Sequence, residues 1–237
     1  MFYIDWTYII LVLPFVLLSM AASSRVNSTF KRYSEVFSHR GITAAQAARE
    51  VLYKNGVHDV SIERVSGNLT DHYDPKNKAV RLSEKVHDST SVAAIGIACH
   101  EVGHALQYDT GYAPARLRAA IVPVTNIGSK LSIPLILAGI ALSYFGEVYS
   151  TIAYIGVALF GLCVVFQLVT LPVEFNASRR ALSSIKECGL LLPDEASGAK
   201  KVLSAAAMTY VAALAVVFMQ FLRLLLIVSS SSRRNKR

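Results

Sequence analysis

Residues 150–172 (STIAYIGVALFGLCVVFQLVTLP) run without a single charge. A stretch this long and this apolar suits one crossing of a bilayer. There the backbone must satisfy its own hydrogen bonds, so the segment is predicted to be a helix. Three further apolar runs occupy 4–22, 119–145 and 202–228. Only Gly146 to Tyr149 separate 119–145 from 150–172, so these two runs form a tight helical hairpin, and the chain leaves and re-enters the same side. The chain is 53% hydrophobic with a mean hydropathy of +0.43, too apolar for an ordinary soluble domain. The expectation is a mainly α membrane protein: about four transmembrane helices plus a small α+β domain over 23–118.

The net charge is +8, and the basic residues flank the apolar runs instead of forming a patch interleaved with aromatics. This pattern excludes nucleic acid as the partner and indicates the lipid bilayer. Arg25, Lys31, Arg32 and Arg40 follow the first run, which predicts a cytoplasmic 23–118 and an outside N-terminus. Asp5, with no Lys or Arg beside it, argues for an uncleaved anchor with Trp6 and Tyr8 at the interface. The fourth run is basic on both flanks, with Lys200 and Lys201 before it and Arg233, Arg234, Lys236 and Arg237 after it, and Arg223 interrupts it. It reads as a fourth span followed by a basic tail over 229–237. Cys99, Cys163 and Cys188 are odd in number and scattered, so no disulfide framework is expected. The sequons at Asn27, Asn68 and Asn176 carry no weight if their loops face the cytoplasm.

Within the polar domain, Thr43 is a helix N-cap and Gly56 a stop. Val60 to Val65 alternates like a strand, Asp71 to Pro75 reads as a turn, and Lys78 to Ser83 reads as a second strand. Val80 to Leu82 is either a sheet edge open to an extended substrate or a strand that covers the next helix. His72 reads as a turn residue, the functional alternative being a hydrogen bond to an oxyanion. Ser91 to Cys99 is small and apolar, the start of a core helix.

That helix continues as Cys99-His100-Glu101-Val102-Gly103-His104. Two imidazoles four residues apart share one helix face and can bind one zinc ion, and Glu101 between them can take a proton from a water at the metal. A core helix has no packing reason to set His, Glu and His together, because buried ionisable groups are costly unless paired or metal-bound. A catalytic zinc takes three protein ligands. Gln107 and Thr110 stand where the metzincin pattern needs Gly and His, the inverted motif is absent, and no Asp precedes a Gly. A Glu on a later helix remains, from Glu147, Glu174, Glu187 and Glu195. Hairpin topology puts Glu147 on the far side of the bilayer and Glu174, two residues after the third run, on the side of the histidines. Glu174 is read as opening a helix that ends at Gly189. Arg179 and Arg180 follow it, Arg180 reading as a headgroup anchor.

Taken together, LTDHYDP, VRLS, HEVGHALQ, a hydrophobic hairpin and LPVEFNASRRA resemble the YugP-type family of membrane-bound neutral zinc metallopeptidases over nearly the whole chain. More distantly the chain is similar to HtpX-like and prenyl-type membrane gluzincins. The resemblance implies His100, His104 and Glu174 as Zn2+ ligands and Glu101 as catalytic base. Ser178 stands where the wider E-x-x-x-D pattern has Asp, so Ser178 or another group such as Asp71 has to orient a ligand histidine. The predicted activity is peptide-bond hydrolysis by a membrane-embedded metalloendopeptidase acting on membrane or membrane-proximal proteins and peptides. The competing reading is a non-catalytic adaptor with a closed structural zinc site, completed by His72 or Cys99.

Overall fold

The computed structural model describes residues 6–67 and 70–234. The expectations placed on Asp5, Asn68, Lys236 and Arg237, and on the side chains of Arg233 and Arg234, lie outside the described residues. The elements are α1 (Trp6–Leu11), α2 (Leu13–Ser34), α3 (Ala44–Lys54), β1 (Ser61–Val65), β2 (His72–Asp74), β3 (Ala79–Ser83), α4 (Glu84–His87), α5 (Val92–Asp109), α6 (Ala113–Leu142), α7 (Ser150–Glu187) and α8 (Pro193–Arg234). The chain divides into an apolar unit of Met1–Ala21, Leu117–Leu171 and Tyr210–Arg237, and a second, more polar unit of Ala22–Arg116 and Pro172–Thr209.

In the apolar unit, Ile136, Ala153, Val157, Leu224 and Val228 form a small core with Phe160 and Phe221 against it. Larger apolar side chains point away from it: Leu137, Ile155 and Leu226 are each more than half exposed. Large apolar side chains turned outward in this number mark a partner or a membrane. Among the described residues, α6, α7 and α8 are long and apolar enough to cross a membrane. The first run is not one helix. It breaks at Val12 between α1 and α2, because Pro14 has no N–H to donate to the carbonyl of Ile10 and its ring crowds that carbonyl.

The polar unit has a single continuous core. The buried small face of α3 (Ala44, Ala47, Ala48, Val51) packs with α5 residues Ile95, Ala98 and Val102 and with Ala181 and Ile185 of α7. Thr43 caps α3 as expected, and the structure adds a reciprocal capping box with Gln46. Gly56 takes a positive φ of 75° just past the end of α3.

The sheet corrects two expectations. Asp71 to Pro75 is not merely a turn, because His72–Asp74 is a strand that pairs antiparallel with β3. The strand order is β1-β3-β2, with β1 parallel to β3. Val80 to Leu82 is therefore the central strand, and both of its edges are occupied. Its burial agrees, since Ala79, Val80, Leu82 and Ser83 are all fully buried, as a middle strand covered on both faces requires. Arg81 crosses the sheet on this strand, reaching Glu63 on β1 at 2.9 Å and Asp74 on β2 at 2.7 Å.

The third correction concerns α7. Glu174 does not open a helix. The helix that starts at Ser150 continues through Pro172 to Glu187. Proline removes one backbone hydrogen bond and one donor, but the flanking turns hold. The predicted stop does occur, with Gly189 at φ 60° two residues past the helix end.

Candidate metal centre

Two helices of the polar unit build the centre. Ser91 starts α5 as its N-cap, its hydroxyl accepting from the Ala94 N–H. Thirteen of the eighteen residues of α5 are buried, Gly103 and Gln107 included. His100, His104 and Gln107 recur at intervals of four and three, which puts them on one helix face. On α7, Glu174 and Ser178 share a face for the same reason. The close approach of the two helices rests on Gly103, where a Cβ would lie 2.5 Å from the Ala177 carbonyl oxygen. Any other residue in that place would push the helices apart.

His100 Nε2 lies 3.3 Å and His104 Nε2 3.6 Å from the same Glu174 oxygen, Oε2. The His100 and His104 rings stand edge to face, with centroids 4.8 Å apart. Glu174 is only 3% exposed at its side chain. In a tetrahedral zinc site with bonds of about 2.0–2.2 Å, neighbouring ligand atoms lie about 3.3–3.5 Å apart. The two nitrogen-to-oxygen distances lie close to that value, and all three candidate ligand atoms fall within 4.8 Å of one another.

The outer hydrogen bonds fix which ring nitrogen faces inward. Gln107 Nε2 donates to the Val173 carbonyl at 2.7 Å and to Asn176 Oδ1 at 3.0 Å. A backbone carbonyl only accepts, so the Gln107 atom 3.0 Å from His104 Nδ1 is its oxygen. His104 therefore carries its proton on Nδ1 and turns the Nε2 lone pair toward Glu174. His100 Nδ1 has the Ser178 hydroxyl at 3.1 Å. A hydroxyl accepts as readily as it donates, so His100 is free to adopt the same tautomer. Two lone pairs and a carboxylate oxygen then converge on one point, an arrangement that calls for a cation. Burial works against a charged His104 ring, but the Glu174 and Glu101 carboxylates outweigh it and raise the pKa of that ring. A proton thus competes for the place a metal ion would fill.

His100, His104 and Glu174 together form a group able to hold a metal ion, and Glu101 beside them is 8% exposed. The rival carboxylates are engaged elsewhere. Glu195 accepts from the His39 and Leu192 N–H groups, and Glu187 accepts from the Ser183 hydroxyl. His72 is exposed and bonded to the Thr70 carbonyl. Cys99 is fully buried, which pushes its thiol far above the ordinary range. Asp71 is not the orienting acid, because it caps Ser83 through both the N–H and the hydroxyl. Ser178 stands at the ligand histidine instead.

Three residues escaped the sequence reading. Gln107 figured there only as a failed metzincin position, although its spacing from His100 and His104 already places it on their face. Asn176 figured only as a sequon, and it accepts from both Gln107 and Arg180. Arg180 is no mere anchor. It reaches the Leu106 carbonyl and the Thr110 hydroxyl at the C-terminal end of α5, where a cation is favoured by the helix dipole. Arg180 and Asn176 together tie that end to α7.

Comparison with known proteins places the chain in a zinc-peptidase family. The profile of the family described as "Putative neutral zinc metallopeptidase" matches residues 8–229. The chain is 44% identical over 228 residues to "Putative membrane protease YugP" of Bacillus subtilis (strain 168), covering 96% of this chain and 99% of that protein. No solved structure matches. The early resemblance therefore holds over nearly the whole length, and the chain belongs to the neutral zinc metallopeptidase family that carries this description.

Proposed function

We propose that this protein is a membrane-embedded zinc metalloendopeptidase of the gluzincin type, with His100, His104 and Glu174 as its zinc ligands. The observation that carries the reading is the convergence of two Nε2 atoms on Glu174 Oε2, with the outward nitrogens held by Gln107 and Ser178. Zinc bound there supplies a Lewis acid that acidifies water and polarises a scissile carbonyl. Glu101 takes the proton of the attacking water and hands it to the leaving amine. Gln107 and Ser178 keep the imidazoles turned inward throughout. The Glu174 carboxylate, on a different helix, completes the site only when α5 and α7 are packed.

A structural zinc site would need a fourth protein ligand. Among the described residues the group has three members, His72 is held at the Thr70 carbonyl and Cys99 is a buried thiol outside the group, which favours the catalytic reading. Four spans fit the sequence: the anchor over 4–22, the hairpin over 119–172 and the run over 202–228. The basic flanks support a peptidase domain on the cytoplasmic side of the cell membrane. Glu174 follows an apolar run by two residues, so the substrates are proteins or peptides in or near the bilayer.

Glu101→Gln tests the mechanism. The variant keeps its zinc, and turnover of a casein-type or membrane-protein substrate falls by roughly 10²–10⁴-fold, the range a general base supplies. Undiminished turnover with full zinc would remove Glu101 from the chemistry.

A further inference from the structure

A second recess in the polar unit lies between α2 and α8, and the peptidase reading does not use it. It is a cleft of about 870 Å³. Arg25, Ser28, Thr29 and Arg32 line it from α2, and Ser197, Lys200, Lys201 and Ser204 line it from α8. Both sets repeat at intervals of three and four, so each is one face of its helix. At one end Gly198 lets the helices close on each other, a Cβ there falling 2.7 Å from the Tyr33 ring. At the other end Ala205 and Met208 form an apolar floor.

The charge in this cleft is of one sign. Four cations and no carboxylate line it. Among the described residues, none of the four forms an ion pair. Lys201 Nζ and the Arg32 guanidinium both lie within 6 Å of the Tyr33 ring centre, at 5.9 Å and 5.8 Å, so the aromatic face gathers them at one end. Like charges held together repel, and a fold that keeps four of them around one concavity is set for a multivalent anion. The hydroxyls of Ser28, Thr29, Ser197 and Ser204 add donors suited to phosphate oxygens. Arg25 follows the first apolar run by three residues, and Met208 lies inside the fourth. The ligand therefore has a charged head and an apolar continuation.

We infer that the cleft bounded by Arg25, Arg32, Lys200 and Lys201 binds the phosphate of an anionic phospholipid headgroup, with Ala205 and Met208 against the first part of its acyl chains. Basic pockets beside membrane helices are the recognised form of such sites. The inference rests on the membrane reading but not on the peptidase chemistry.

The test uses the full chain in a neutral detergent. Retention of phosphatidylglycerol and of phosphatidylcholine is measured by native mass spectrometry for wild type, Arg32→Ala/Lys201→Ala, Arg32→Lys/Lys201→Arg and the control Lys31→Ala, which lies outside the cleft. Each basic residue near an anionic headgroup contributes roughly fivefold in affinity. The double alanine variant is expected to lose about 30-fold for phosphatidylglycerol at unchanged zinc content, while the charge-conserving variant and the control stay near wild type. Equal retention of both lipids by wild type, or an unaffected double alanine variant, overturns the proposal. If inorganic phosphate alone binds as tightly as the lipid and displaces it, the site is one for soluble phosphate and the lipid assignment falls. Flotation with pure phosphatidylcholine vesicles reads the membrane assignment separately, since that interaction needs no anionic headgroup.

Discussion

Two acidic clusters in the polar unit face opposite requirements. On the sheet, Glu63 and Asp74 close on Arg81, a cation that the chain itself supplies. Between α5 and α7, Glu174 closes on two imidazoles whose inward nitrogens are acceptors once Nδ1 carries the proton. The first cluster is complete as folded. The second needs positive charge from a metal ion or from protons. A carboxylate with its own cation belongs to the scaffold, and one set against neutral ligands belongs to a site. The clusters also tie different things together. Arg81 links three strands close in sequence, whereas Glu174 and its histidines lie seventy residues apart.

The contrast is sharpest for Glu174→Ala. Wild type is expected to hold about one zinc per chain, the count for a single catalytic site, and the variant close to none after dialysis. Asp74→Asn should keep the wild-type content. Full zinc in Glu174→Ala, measured by atomic emission, would mean that another residue completes the centre and that the two clusters do not differ as described.

Gly103→Ala is next in size. Its Cβ would meet backbone, the Ala177 carbonyl oxygen and its Cα at 3.2 Å, so no side chain can swing aside. Overpacking of this kind costs about 1–3 kcal/mol. Thermal unfolding and zinc titration should move together, because the same displacement carries Glu174 away from the histidines. A variant that unfolds earlier yet binds zinc normally would separate packing from the site.

The metal centre was more legible in the sequence than the sheet, for a physical reason. A helix face is fixed by local spacing, so His100, Glu101 and His104 declare their geometry within five residues. The hairpin expected from two apolar runs then points to Glu174, which the fold brings together with both histidines. Strand order is a nonlocal property. Nothing in the sequence of Val80 to Leu82, two apolar residues around Arg81, distinguishes an edge from a centre, and His72 to Asp74 is too short to show alternation. Pro172 misled in the other direction, because a proline ends helices more often than it is carried through one. Gln107 stands where the metzincin pattern needs Gly, and that mismatch hid its place on the face of the two histidines. The next turn of the same face holds the residue that sets the tautomer.

Smaller effects follow from those outer partners. Gln107→Leu removes the acceptor of His104 Nδ1 and takes the side-chain donor from the buried Val173 carbonyl. Zinc affinity should fall by roughly 10–100-fold, the usual consequence of losing a ligand's orienting partner. Ser178→Ala should fall at the low end of that range, because Ser178 is only half-buried and water can take its place at His100. Competition with a fluorescent chelator ranks the two, and the reverse order would assign the tighter hold to His100.

The least effect belongs to the sheet cluster and is read through pH. Hydrogen bonds from the Asn77 side chain and backbone, with Lys76 and Arg81 adding to them, hold the Asp74 carboxyl down at about 2, from an ordinary 3.8. A folded-state pKa below the unfolded one gives stability that is fully present above about pH 4 and is lost as pH falls toward 2. Zinc-stripped protein removes the competition between protons and metal at the other cluster. Its thermal midpoint should drop between pH 4 and 2, and Asp74→Asn should start lower and drop less. Because Glu174 remains in both proteins, the difference between the two curves isolates Asp74. Parallel curves would mean that the carboxylate is not held by its charge, and that Arg81 ties the strands together through Glu63 alone.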